Sequence, residues 1–159
     1  MSKHASDNGF AVLGDLGEVV QVVQITSPDG RGLRLRLRSL GADEMQQVRR
    51  GIAWPQEPRE PQRDPTDNKV RLLPVVVGPL RERYEQELAD ATQEQMHRLL
   101  ARSLVGLDMP GESDAEHAAA LRSQLGFWAL KQLTNHMLRL NRITDEEVEE
   151  AAEGFPLAT

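Results

Sequence analysis

Residues 33–40 read LRLRLRSL, and this strict alternation constrains the fold more than any other feature of the chain. Successive strand side chains point to opposite faces, so Leu33, Leu35 and Leu37 share one face and Arg34, Arg36 and Arg38 the other. One face is then buried and the other wet. The preceding EVVQVVQIT is rich in β-branched residues, and SPDG between the two runs sets Pro, Asp and Gly in turn-favouring order. The pattern predicts a β-hairpin beginning at Glu18, after a polar, flexible tail over residues 1–17.

Beyond Leu40 the period turns helical. Met45, Val48 and Ile52 recur at spacings of 3 and 4, which predicts a short helix starting near Ala42 or Asp43 and completes a first region over residues 18–52. Four prolines in WPQEPREPQRDPTDN, residues 54–68, exclude helix and central strand there. Residues 53–78 therefore read as a Pro-rich linker, in which KVRLLPVVV supplies an edge strand interrupted by Pro74. Residues 79–155 read as a helical region. Pro79 suits a first helical turn, and Tyr84, Leu88, Ala91, Met96, Leu99, Ala101 and Leu104 form its apolar stripe as far as about Val105. Ser113 with Glu116 forms a capping box for a helix over residues 114–125. Gly126 either stops that helix in a left-handed conformation or is tolerated within a longer one reaching Leu140. Thr144 with Glu147 opens a last helix over residues 145–153, closed by Gly154 and Pro156. The fold class expected is α+β: an N-terminal hairpin or small sheet followed by a mostly helical part.

Composition narrows function by exclusion. There is no cysteine in 159 residues, so disulfides, thiolate metal sites and a cysteine nucleophile are ruled out. No stretch approaches the roughly 18 apolar residues of a membrane helix, which predicts a soluble, cytoplasmic protein without a membrane partner. Residues 1–79 carry 11 basic and 10 acidic side chains, against 8 and 15 in residues 80–159, so the helical half is acidic. That sign opposes the basic excess of a duplex binder.

Motifs for chemistry are sparse. Glu94 and His97 make an E-x-x-H, yet a di-iron site needs a second such pair, and His4, His117 and His136 supply none. The two read as polar residues on a solvated helix face. The acidic run from Asp145 to Glu150 lacks a calcium-wrapping loop and suits a helix N-terminus. Arg34, Arg36 and Arg38, with Arg31, Arg49 and Arg50 nearby, form a cationic row without aromatic residues to stack bases. No nucleophile elbow and no phosphate-cradling glycine loop is present. No catalytic residue, metal ligand or cofactor is expected, and the chain does not read as an enzyme.

What remains is apolar surface. Phe127, Trp128, Leu130, Leu133, Met137, Leu138 and Leu140 cover more than one side of a helix. This is either a helix buried all round or a docking face, and the residues of such a face are Phe127, Trp128, Leu133, Met137 and Leu138.

The hairpin followed by LRSLGADEMQQVRR, the helix ending in LLARSLVGLD, and the closing LGFWALKQLTNHMLRLNRITDEEVEEAAEGF together resemble tail assembly chaperones of long-tailed, siphovirus-type bacteriophages. Leu138, Leu140 and Asn141, then Glu147, Val148, Glu149 and Phe155, carry the likeness, which spans roughly residues 18–155. The resemblance implies a non-enzymatic protein of the host cytoplasm. Its partners would be the tape measure protein, kept soluble until assembly, and the tail tube protein, and many members have a frameshifted longer form. Apart from the resemblance, the apolar helix over residues 127–140 offers self-association as an alternative to docking another protein. Two other classes compete: a structural virion component of the neck or tail-completion type, and a small nucleic-acid-binding regulator using the arginine strand.

Overall fold

The computed structural model describes residues 17–142, and the element order is β1 (Val20–Thr26), β2 (Gly32–Arg38), α1 (Ala42–Arg50), β3 (Arg59–Arg63), β4 (Val70–Pro74), α2 (Pro79–Ser103), β5 (Leu104–Val105), α3 (Asp114–Gln124) and α4 (Phe127–Leu140). The architecture is α+β. The described residues fall into two compact units, 17–51 with 96–142 and 52–95. Helix α2 contributes to the second unit up to Gln95 and to the first from Met96. The expected tail over residues 1–16 and the acidic helix with its cap at Thr144 lie outside the described residues.

In the first unit the hairpin forms as its alternation requires. β1 pairs antiparallel with β2 in the register Val23 to Leu35 and Ile25 to Leu33. The turn closes through Ser27 N–H to the Arg31 carbonyl at 2.8 Å, with Gly30 at φ +87°. That left-handed position is one glycine occupies without steric cost. Burial of the leucine face is graded: Leu37 is fully buried, Leu35 half-buried and Leu33 42% exposed towards the turn.

A third strand was not legible in the sequence. α2 ends at Ser103, and Leu104 and Val105, placed by periodicity on the helix, instead pair with Leu37 and Arg36 as β5, giving the sheet order β1-β2-β5. β2 is thus central, and the Ser103 hydroxyl fixes the junction by donating to the Arg38 carbonyl at 2.6 Å. The core gathers Val23, Ile25 and Leu37 from the sheet, Val48 from α1, Leu99 and Leu100 from α2, Leu121 from α3 and Ala129, Leu133 and Met137 from α4.

In the second unit the Pro-rich stretch is a strand, which corrects its reading as a linker. β3 pairs with β4 antiparallel, with Pro61 opposite Leu72 and Arg59 opposite Pro74. The backbone bonds Val75 N–H to Pro58 O and Asp64 N–H to Lys69 O bracket the ladder and fix its parity. Pro61 and Pro74 fall on the alternate positions, whose amide nitrogens face away from the partner strand. In a two-stranded sheet both strands are edges, so neither proline breaks a bond. The connecting DPTDN is an Asx turn, in which the Asp64 carboxylate accepts from Thr66 N–H at 2.9 Å and Thr66 Oγ1 at 2.7 Å.

Helix starts follow the sequence more closely than helix ends. Glu116 N–H donates to Ser113 Oγ at 3.2 Å, while the Glu116 carboxylate accepts from the serine hydroxyl at 3.3 Å instead of reaching back to the backbone. At α1 the Glu44 carboxylate accepts from Gly41 N–H at 3.1 Å and is gripped by both terminal nitrogens of Arg38 at 2.9 and 2.6 Å. This two-toothed pair ties the end of β2 to the first turn of α1. It also holds the Glu44 carboxyl down at about 2, from 4.5.

A depressed carboxylate stabilises the fold above its unfolded pKa and loses that contribution as pH falls through the folded one. The Glu44 contribution is therefore expected to be constant above about pH 4.5 and to be lost between 4.5 and about 2. The Glu44 side chain is 29% exposed. Solvent screening reduces its contribution to about 1–2 kcal/mol. Thermal melts across this range should show Glu44→Gln less stable at neutral pH and less sensitive to acid; an identical acid profile would contradict the assignment.

Candidate partner-binding surfaces

Helix α4 begins immediately after Gly126, which is neither of the expected alternatives. Its φ of −64° and ψ of 156° are extended, and it caps α4 while α3 ends one residue earlier at Leu125. Glycine is needed for space: a Cβ here would lie 2.6 Å from Trp128 Nε1 and 2.8 Å from Cδ1. The indole of Trp128 folds back over the cap, and α3 and α4 are separate helices for that reason.

The five residues of the expected docking face do not share one surface. Leu133 and Met137 are 1% and 0% exposed and belong to the core with Ala129, which corrects their assignment as partner contacts. Spacing of four puts Ala129, Leu133 and Met137 in line against the sheet. Trp128 and Leu138 are half-buried against that core, and Phe127 is 76% exposed. Replacing Met137 therefore probes stability, and Phe127 is the residue of the five that remains open to a partner.

Two polar side chains of α4 also do structural work. Gln132 pairs with both backbone groups of Thr26, accepting from its N–H at 2.9 Å and donating to its carbonyl at 2.8 Å. Asn141, the asparagine that follows the leucine-rich run, caps the helix by donating to Met137 O at 2.9 Å and accepts from Leu40 N–H at 2.7 Å. It joins the end of α4 to the segment after β2, so its place in the sequence has an architectural cause.

The other candidates resolve as follows. His97 is buried, not on a solvated face, and its Nδ1 lies 3.1 Å from Arg122 Nη1. A guanidinium only donates, so that ring nitrogen accepts and the histidine is neutral there. Among the described residues no three His, Asp or Glu side chains converge as a metal group would. The arginine row is unequal: Arg38 is committed to Glu44, Arg31 to Asp29 at 2.8 Å, and Arg34 and Arg36 stay exposed. A shallow cleft of about 420 Å³ is lined by Arg38, Glu44, Arg102, Asp114, His117 and Met109 among others. Arg102 grips Asp114 through Nε and Nη2, both at 2.8 Å, and the guanidinium beside Asp114 holds its carboxyl below the usual range. The two arginines of the cleft are thus each committed to a carboxylate of the protein.

A run of exposed aliphatic side chains close together in sequence lies in the second unit. Val70 and Leu72 share one face of β4, each 63% exposed, and Val76, Val77 and Leu80 follow at 70%, 78% and 57%. The register places Arg59, Pro61 and Arg63 of β3, all exposed, on the same face as Val70 and Leu72. Val75 points the other way and is 5% exposed. In the sequence this surface is hidden by the prolines that mark the segment as linker. Its signal was present in the VVV run after Pro74, too apolar for a solvated connection. Charge pairs brace the unit: Arg81 reaches Glu57 at 3.0 Å and Glu85 at 3.1 Å while its guanidinium lies 5.2 Å from the Tyr84 ring centre.

Among the described residues no helix is long and apolar enough to cross a membrane. Compared with family models, curated proteins and solved structures, the chain matches none.

Gly126→Ala is expected to displace the Trp128 indole and to cost about 1–3 kcal/mol. Urea unfolding followed by tryptophan fluorescence measures it. Unchanged stability with an unchanged emission maximum would contradict the close packing described for the cap.

Proposed function

We propose that this chain is a phage tail assembly chaperone: a non-enzymatic protein that holds the tape measure protein soluble and releases it to tail tube assembly. The observation that carries the reading is the exposed apolar face of Val70, Leu72, Val76, Val77 and Leu80. Five large aliphatic side chains exposed within eleven residues, with Arg59 and Arg63 on the face of Val70 and Leu72, are the kind of apolar surface that marks a partner site. An amphipathic helix of a long helical client offers the complementary stripe. The likeness of residues 18–155 to such chaperones supplies the identity of the client. The helical half, with 15 acidic side chains against 8 basic, favours solubility of a loaded complex.

Binding thus shifts from α4, where most large hydrophobes are packed inside, to the second unit, the β3–β4 hairpin unit, with Phe127 as an additional apolar contact in the first unit. Substituting exposed residues costs little stability. Co-expression with the tape measure protein should raise that protein's soluble fraction severalfold. Leu72→Ser with Val77→Ser should return it to the level without this chain, while circular dichroism and melting stay those of the native protein. Equal solubility of the client with and without the chain would overturn the reading. So would stoichiometric recovery of the chain in purified particles by mass spectrometry, which marks a virion component.

A further inference from the structure

We propose that the outer edge of β1 is a self-pairing site, through which two copies of this chain join antiparallel about a two-fold axis at Val22. The inference stands apart from the chaperone reading and rests on the register of one strand.

The bond from Ser39 N–H to Val19 O and the closing pair Ser27 with Arg31 fix which residues of β1 exchange hydrogen bonds with β2. They are the odd-numbered ones. The N–H and C=O groups of Val20, Val22, Gln24 and Thr26 consequently point away from the sheet. At Thr26 both are taken by Gln132. Among the described residues the open edge is a window of three, Val20, Val22 and Gln24, with Val22 at its centre.

That window is complementary to itself. A two-fold axis at Val22 sets Val22 against Val22 of the second copy and Val20 against its Gln24, so six outward backbone bonds form and the pairing stops where Gln132 already covers Thr26. Val20 and Val22, 51% and 60% exposed on the sheet face away from the core, come together across the axis. Val19, 52% exposed on the core side, comes opposite Ile25 of the second copy, beside the end of α4 that carries the exposed Phe127.

Charge favours a second copy as the occupant. Residues 19–26 hold no charged side chain, so the strand meets itself without repulsion, and none of the usual edge guards, lysine or proline, interrupts it. The exposed Arg34 and Arg36 stand on β2; in the joined sheet the two β2 strands are three strand spacings apart, about 14 Å, beyond the screening length of about 8 Å. α4 leaves room as well. It crosses the sheet obliquely, from Gln132 at the β1 edge to Asn141 beside Leu40, past the end of β2, so the two copies of the helix occupy opposite ends of the joined edge.

Sedimentation equilibrium of the full chain tests this. The native protein should approach twice its 17.8 kDa as concentration rises. Val22→Pro removes an outward N–H that the hairpin does not use, so it should sediment as a monomer with unchanged circular dichroism. Val22→Lys, which puts like charges at the axis, should do the same if the proline variant fails to fold. The register has its own readout, because the chain has no cysteine: Val22→Cys should give a disulfide-linked dimer under mild oxidation and Val20→Cys markedly less. A native protein that remains monomeric at every concentration overturns the proposal, as does a folded Val22→Pro or Val22→Lys that dimerises as the native chain does. Cross-linking equal at positions 20 and 22 rejects the register.

Discussion

Complete burial of Leu37 on the central strand is the constraint on which the first unit depends. β2 is flanked by β1 and by the two residues of β5, and its inward face needs cover along its length. α4 lays Ala129, Leu133 and Met137 against that face, and α2 adds Leu99 and Leu100. Each fully buried aliphatic side chain of this kind contributes about 1.5–3 kcal/mol. The polar contacts then fix position more than they add stability: Ser103 onto Arg38, Asn141 onto Leu40 and Gln132 onto Thr26 each bind a helix to the β1–β2 region more than sixty residues away, and Arg38 onto Glu44 ties β2 to the helix that follows it.

How much was legible in the sequence follows from the range of each cause. The alternation of Leu33 to Arg38 is local, and it yields the hairpin, its turn and its buried face. The caps of α1 and α3 are equally local. Leu104 and Val105 read as helix because their partners, Leu37 and Arg36, lie more than sixty residues away. Four prolines argued against a strand at residues 59–63, but an edge strand with prolines on alternate positions loses no hydrogen bond. Gly126 was ambiguous because its purpose is the Trp128 indole, a contact that spacing alone does not reveal.

The same division explains what became of the expected docking face. Large hydrophobes dense in sequence were read as surplus on α4, whereas Leu133 and Met137 are what the sheet needs for cover. Surplus occurs elsewhere, in a segment whose prolines had marked it as linker. Val70 and Leu72 stand exposed on a two-stranded sheet that has no buried strand residue, and the exposed Val76 and Val77 follow past the strand end.

The central claim is that α4 supplies core while the hairpin unit supplies apolar surface, and thiol accessibility tests it most directly in a chain without cysteines. Single cysteines at positions 133 and 137 should resist alkylation until the protein unfolds, whereas those at 72 and 77 should react at the rate of an unstructured thiol. A cysteine at 137 that reacts as fast as one at 77 in the folded protein would contradict the account.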